Sequence, residues 1–356
     1  MAGLVEDLVP GGVLEQIARL GDDSGTDADA TKKGIGYGAS FLLTVRTAGG
    51  EQRKLVFRTQ RADDFGHDRR ADRAAEALLA YDTGGEIPRH AGVLDVGATL
   101  PGGRVHSLRD SGEFYWVTDF VPGEVYAEDL RRIGVSKQAS AGDLSRCDSL
   151  ATYLASLHAE KLGRPAEYRR AVRDLIGHGE GIFGISDSYP ENAPPRTVAQ
   201  VRRIEERCVE WRWKLRGREA RLSRTHGDFH PFNILFDDSG GLWLLDASRG
   251  CRGDPADDVT CLAINYLFFG FEHPDSWATG FRGLWRRFWE GYLKRTGDHE
   301  ILSVAPPYFA WRALVLANPL WYPNAHAEVR DRLLGFAEHA LASGRLDPPE
   351  AEEIFR

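Results

Sequence analysis

The sequence predicts an α+β protein in two lobes, a small antiparallel-sheet lobe followed by a larger, mainly helical one. Three observations point there. Two β-rich runs joined by a Gly-containing turn occupy residues 32–60. A strand pattern in "FYWVTDFV" stops at "PGE", near residues 121–123. Beyond that break, long segments with apolar residues at helical spacing dominate to the end of the chain. The expected domains are therefore 1–121 and 122–356.

In order along the chain, "GGVLEQIARL" (11–20) reads as a short helix, and the polar "GDDSGTDADA" after it as a loop. "KKGIGYGASFLLTVRT", "AGGEQ" and "RKLVFRTQ" read as an antiparallel hairpin. "RRADRAAEALLAYDTGG" is helical, with Ala74, Leu78 and Leu79 on one face and glycines closing it. "GVLDVGATL" and "FYWVTDFV" restore a strand pattern. After the break, "CDSLATYLASLHAEKLG" places Leu150, Tyr153, Leu154 and Leu157 on one helix face. A Gly/Pro-rich stretch (177–195) precedes a charged helix over 198–220, and no internal repeat is present.

Bulk properties exclude some classes. At 356 residues the chain buries a real core, and 42% hydrophobic with 28% charged residues is ordinary globular composition. A formal charge of -8 argues against a nucleic-acid partner, which selects a basic face. Cys147, Cys208, Cys251 and Cys261 form no CxxC pair, so neither a zinc ribbon nor a redox motif is expected. Glu6 and Asp7 stand where a signal peptide carries cations, and no apolar stretch has membrane-spanning length. The expectation is a soluble cytoplasmic protein without a membrane partner; oligomeric state stays open.

The chemistry concentrates in "RTHGDFHPFNILFDDSGGLWLLDAS" (224–248). His226-Gly-Asp228-Phe-His230 alone suggests a hydrolase metal cage, but the downstream residues fit another reaction. Asn233 follows Asp228 by five residues, and Asp246 follows Asn233 by thirteen. "ILF", "DDSGG" and "LWLLD" between them read as a tight hairpin, whose strand ends lie together. An amide oxygen and a carboxylate placed there suit Mg²⁺, which takes one or two such ligands plus substrate phosphates. Asp228 would orient an attacking hydroxyl and accept its proton late, as a loose phosphoryl-transfer transition state requires. The metal-hydrolase reading leaves Asn233 and the hairpin unexplained and lacks a second HxH or HxxxH cluster. A capped turn with satisfied histidines is the purely structural alternative.

"HGDFHPFN", "LLDAS" and "GDPADDV" together resemble the aminoglycoside phosphotransferase and choline kinase-like enzymes, relatives of the protein kinases. The resemblance spans roughly residues 30–340 and is most specific over 226–258. It implies a protein-kinase-like fold, with Asp228 as the catalytic aspartate, Asn233 and Asp246 as metal ligands, and Asp258 as a buried brace for the catalytic loop. Asp258 also reads as a helix first-turn acid, and His226 and His230 read as packing and hydrogen-bonding residues.

A phosphotransferase needs a nucleotide site in the first lobe. Gly36, Gly38 and Ser40 lie in a glycine-rich run where backbone N–H groups can approach phosphates. Arg58 stands where kinases carry a strand lysine, a departure that keeps the charge and adds a forked geometry. Glu76 is its expected partner on the next helix. The resemblance makes "YWVTDFVPGE" the hinge, with the Asp119 carbonyl and Val121 amide facing adenine and Thr118 at the gate.

The acceptor is expected to be a small-molecule hydroxyl. Only "ASRGCR" separates Asp246 from "GDP", too short for the activation segment of a protein kinase. Asp-Ala-Ser replaces Asp-Phe-Gly. The 177–195 stretch is a candidate lid, and Trp285, Trp289, Tyr292, Trp311, Trp321 and Tyr322 form either an aromatic acceptor wall or core. Arg249 and Glu272, close in sequence to the metal end, are read as solvated-surface residues, with substrate contact as the alternative. The expected function is ATP-dependent (GTP possible), Mg²⁺-assisted transfer to an aminoglycoside, sugar or amino alcohol. The alternatives are a catalytically silent nucleotide-binding module and a metal-dependent hydrolase.

Overall fold

The computed structural model describes residues 1–20 and 38–355, which divide into two compact units, Met1–Thr118 and Asp119–Arg356. In the first unit, helix α1 (Ala2–Leu8) leads into strands β1 (Val13–Arg19), β2 (Gly38–Arg46) and β3 (Gln52–Gln60), an antiparallel sheet in the order β1-β2-β3. The expected hairpin is β2–β3, in unbroken register from Gly38↔Gln60 to Arg46↔Gln52. Helix α2 (Arg70–Thr83) follows, then a short pair, β4 (Gly97–Thr99) with β5 (Val105–Ser107). A small core of Val5, Val9 and Val45, with Leu14 and Leu55 against it, holds α1 to the sheet.

Two local expectations are corrected here. Residues 11–20 form β1, not a helix: Gly11 turns the chain at φ +70°, and β-branched Val13 and Ile17 then flank the ladder that pairs Leu14 with Val45. Helix α2 is present where the spacing predicts it, with Leu78 half-buried and Leu79 61% exposed. The run Phe114–Phe120 carries no strand. With no ladder partner, its side chains have no sheet face to pack on, and Tyr115 and Phe120 lie exposed. Gly36 falls outside the described residues.

The second unit begins with β6 (Glu124–Val125) and helices α3 (Tyr126–Ser136), α4 (Ala141–Leu157), α5 (Pro165–Gly177), α6 (Ile182–Asp187) and α7 (Pro195–Leu215). Short strands β7 (Ser223–Arg224), β8 (Ile234–Phe236), β9 (Leu242–Leu244) and β10 (Arg252–Gly253) follow. They form two small antiparallel sheets, β6-β8-β9 and β7-β10. Helices α8 (Ala256–Glu272), α9 (Arg282–Thr296), α10 (Ile301–Val304), α11 (Pro306–Ala317), α12 (Ala327–Ser343) and α13 (Pro348–Ala351) complete the unit.

Helix α8 is buried on every face from Val259 to Phe271 and apolar there but for Thr260 and Asn265, the latter bonded to the Cys261 carbonyl of its own helix. Trp285, Trp289, Tyr292 and Phe309 are buried around it, so these tryptophans belong to the core. Helix α4 buries Leu150 and Leu154 as its spacing requires. The 177–195 stretch is built into this body: Ile182 and Ile185 are buried in the main core, and the Tyr189 hydroxyl donates to the Leu314 carbonyl at 2.8 Å. No helix among the described residues is long and apolar enough to cross a membrane.

Candidate active site

The site is assembled from two loops that the β7–β10 pair brings side by side, 225–233 and 246–251; the Thr225 N–H donates to the Cys251 carbonyl at 3.2 Å. Asp258, in the first turn of α8 and fully buried, fixes the first loop. Its two oxygens accept the backbone N–H groups of His226 and Gly227, each at 2.8 Å. His158 Nε2 lies 3.1 Å from the same carboxylate, and its Nδ1 lies 2.9 Å from the Tyr292 hydroxyl. Asp258 is thus both the first-turn acid and the loop's brace. Gly227 takes φ +83°, where a Cβ would also meet the Gly250 carbonyl at 3.0 Å. That turn presents Asp228.

Asp228 is half-buried among charges. Arg312 Nη1 donates to its Oδ1 at 2.7 Å, Arg249 Nη1 lies 3.5 Å from the same oxygen, and His230 Nε2 lies 3.6 Å from Oδ2. Burial pushes the carboxyl up, but Arg312 and then Arg249 outweigh it and hold the group below the usual range. Burial likewise disfavours the charged form of His230, whose pKa is lowered. Asp257, sharing Arg312 at 2.7 Å, is pushed up by burial to about 6. His226 is buried and accepts the Asp228 N–H at 3.3 Å, and His230 Nδ1 accepts the Phe232 N–H at 3.1 Å, so both histidines shape the loop.

The hairpin places the next pair of residues. Strands β8 and β9 pair Ile234 with Leu244, and the Leu245 N–H donates to the Asn233 carbonyl at 2.9 Å, so Asp246 follows directly after the residue facing Asn233. The Asn233 side-chain amide donates to the Asp228 carbonyl at 3.1 Å, which turns its N–H₂ to the protein. Asp246 sits at φ +51°, a left-handed conformation that aspartate tolerates better than most residues, with Oδ1 accepting the Ser248 N–H at 3.2 Å. The amide oxygen of Asn233 and the second oxygen of Asp246 are hard donors of the type Mg²⁺ takes. Among the described residues, no group of three or more His, Cys, Asp or Glu side chains is placed to hold a metal.

In the N-terminal unit, Ser40 and Arg58 are direct cross-strand partners on β2 and β3. Gly38 sits so close to β3 that a Cβ would overlap the Thr59 carbonyl. Arg58 is exposed and does not meet Glu76. The Glu76 carboxylate is taken instead by Gln60 Nε2 and His67 Nε2, each at 2.8 Å, because those two groups lie nearer along the same chain. In the second unit Asp119 is exposed and Val121 half-buried; among the described residues neither the Asp119 carbonyl nor the Val121 amide is engaged in a backbone hydrogen bond.

Arg312, Asp257 and Cys261 were not singled out by the sequence reading, and Arg249 was placed on the surface. Arg249 is in fact three-quarters covered, its guanidinium 5.0 Å over the Trp311 ring and 3.3 Å from Glu180 of the 177–195 stretch. One signal for Arg312 was available: it is the lone charge in the apolar helix "PPYFAWRALVLA", and such a charge requires a buried partner.

The sequence model of the phosphotransferase enzyme family matches residues 33–296. A search of curated proteins finds no match. Among solved structures, a glucosamine kinase in complex with glucosamine, ADP and inorganic phosphate is 19% identical, with a TM-score of 0.44 over 61% of each chain. The ethanolamine kinase of Plasmodium vivax is 13% identical, with a TM-score of 0.36 over 88% of this chain and 81% of its own. A choline kinase from Streptococcus pneumoniae is 14% identical, with a TM-score of 0.35 over 96% of this chain and 97% of its own. By the family match, which takes in most of its length and the whole 226–258 block, the chain belongs to the phosphotransferase enzyme family.

Proposed function

We propose that this protein transfers the γ-phosphoryl group of ATP to a hydroxyl of a small molecule of the aminoglycoside, sugar or amino-alcohol type. The observation that carries the reading is the Asp228 carboxylate, paired with Arg312 and held on a loop whose backbone is tied to buried Asp258 and whose carbonyl is bonded by Asn233. Asp228 orients the acceptor hydroxyl and receives its proton as the bond to phosphorus forms. Asn233 and Asp246 are the residues that would hold Mg²⁺, which when bound neutralises charge on the triphosphate. Ser40 and Arg58, paired across β2 and β3 with Gly38 close by, are proposed to contact its phosphates, and the Asp119 carbonyl and Val121 amide to meet the adenine edge. Glu76 would have to leave Gln60 and His67 to orient Arg58, so its part in nucleotide binding is conditional on that exchange. Four free cysteines fit a reducing compartment, and we place the enzyme in the cytoplasm.

The test is ADP release from Mg-ATP over a panel of glucosamine, kanamycin, ethanolamine and choline, with water as reference. Asp228→Asn should lower turnover by at least about 100-fold, the lower end of acid-base contributions, while ATP binding by calorimetry persists. Turnover within threefold of wild type in that variant would refute the assignment.

A further inference from the structure

Arg312 makes three hydrogen bonds, and all of them end at the proposed centre. Nη1 donates to Asp228 Oδ1 at 2.7 Å, and Nη2 donates to the Gly227 carbonyl at 2.9 Å and to Asp257 Oδ1 at 2.7 Å. The side chain is 7% exposed, and its guanidinium lies 3.8 Å over the Trp311 ring. Its plane is therefore fixed from one face while its fork grips a carboxylate, the carbonyl just before it, and a neighbour of the brace residue. Helix α11, which carries it, is otherwise apolar, so this one cation is committed to the loop rather than to solvent.

The consequence falls on Asp228. Oδ1 is committed to Arg312 and lies 3.5 Å from Arg249, with the Cys261 thiol 3.9 Å away. Among the described residues Oδ2 accepts no side-chain hydrogen bond; His230 Nε2 lies 3.6 Å from it, beyond hydrogen-bond length. We propose that Arg312 is the positioning residue of phosphoryl transfer. By occupying Oδ1 and the Gly227 carbonyl together, it sets the Asp228 rotamer and leaves Oδ2 as the oxygen for the acceptor hydroxyl. In the step so oriented, the hydroxyl oxygen forms its bond to the γ-phosphorus and the bond from that phosphorus to the β–γ bridging oxygen breaks. The hydroxyl proton passes to Oδ2 and ADP leaves. Arg312 touches neither substrate nor nucleotide in this scheme; it acts through Asp228. The inference rests on the proposed role of Asp228.

A structural role, the neutralisation of Asp257 alone, makes a different prediction, and a mutant cycle separates the two. Arg312→Lys keeps the charge but cannot fork. It should lower kcat at least tenfold, leaving the KM for Mg-ATP within about twofold, on the acceptor panel used for Asp228. Arg312→Met leaves Asp257 buried without a partner and is prone to unfold, so Arg312→Met is paired with Asp257→Asn; the pair should show the same loss of kcat. Placed in the Asp228→Asn background, Arg312→Met with Asp257→Asn should lower kcat no further, because the group it positions is already gone. Wild-type kcat in Arg312→Lys, a change confined to KM, or a full further loss in the Asp228→Asn background would each overturn the inference. Asp228→Asn with wild-type turnover would instead remove the reading beneath it, so the two failures are told apart.

Discussion

Two backbone N–H groups end on the single buried carboxylate of Asp258, so the loop that presents Asp228 depends on one side chain. Asp258→Asn is close in shape but wrong in chemistry. The amide offers one acceptor and turns a donor toward a donor, leaving the N–H of His226 or Gly227 unpaired in the interior. A buried donor without a partner costs about 1–3 kcal/mol. We predict a loss of that size by urea denaturation, together with a fall in turnover; unchanged stability would show that the brace is not needed. Asp228, Asn233 and Asp246 could be proposed from the sequence because their spacing is local and their residue types match one chemistry, and the brace at Asp258, implied by the resemblance, is present in the structure. Arg312 could not be, since it meets Asp228 from 84 positions away and only the packing of α11 brings it there. Arg58 and Glu76 show the converse: adjacent strand and helix suggested a pair, but Gln60 and His67 compete for the carboxylate.

The β8–β9 hairpin was readable for a physical reason, since "DDSGG" offers both the glycines and the aspartate that a tight turn needs. Asp237 accepts from the Ser239 N–H and hydroxyl, the Gly241 N–H and Trp243 Nε1, all through its side chain. The Ser239 hydroxyl, then the Trp243 indole and the Gly241 amide, pull its pKa down to about 2. A folded value below the unfolded one, about 3.9, means the turn gains stability that is fully present above pH about 4. That gain is lost as pH falls through about 2. Carboxyl NMR should show Asp237 titrating near 2, and the Trp243 indole resonance moving with it; titration near 4 would mean the turn is not organised by this side chain. The spacing of Leu14 and Ile17, three apart, matches a helical period, and in β1 a bulge between Leu14 and Gln16 is what lets both residues share the face of Val45 and Leu43. The ladder to β2 decided between helix and strand. The 114–120 run differs for the opposite reason: its aromatic and β-branched residues favour a strand, but a strand exists only where an edge accepts it.

The C-terminal unit combines an apolar interior with a charged knot centred on Arg221, where several elements depend on a single side chain. Arg221, on the short turn Glu219–Arg221 before β7, donates to both oxygens of Asp254 at 2.9 and 3.0 Å and to both of Asp298 at 2.7 and 2.9 Å. Asp254 also accepts the Tyr168 hydroxyl from α5 and the Ala256 N–H at the start of α8, each at 2.9 Å. One guanidinium therefore joins α5, the approach to β7, the start of α8 and the loop before α10. Arg221→Met removes the cation and leaves Asp254, which is fully buried, without its charge partner. Breaking a buried pair from one side costs about 3–5 kcal/mol, most of it the stranded charge. Removing both charges, in Arg221→Met with Asp254→Asn, should recover a large part of that loss, because an amide can still take the Tyr168 hydroxyl. The urea midpoint is therefore expected to fall steeply in the single variant and partly return in the double. A double variant less stable than the single one would mean that the bonds from Tyr168 and Ala256 to Asp254, rather than its pairing with Arg221, hold these elements together. Because Asp254 lies four residues before Asp258, a loosened knot is also expected to reach the loop brace, so the single variant should lose turnover at urea concentrations below its unfolding transition. Activity that persists until global unfolding would place the knot and the loop in one cooperative unit with no earlier opening.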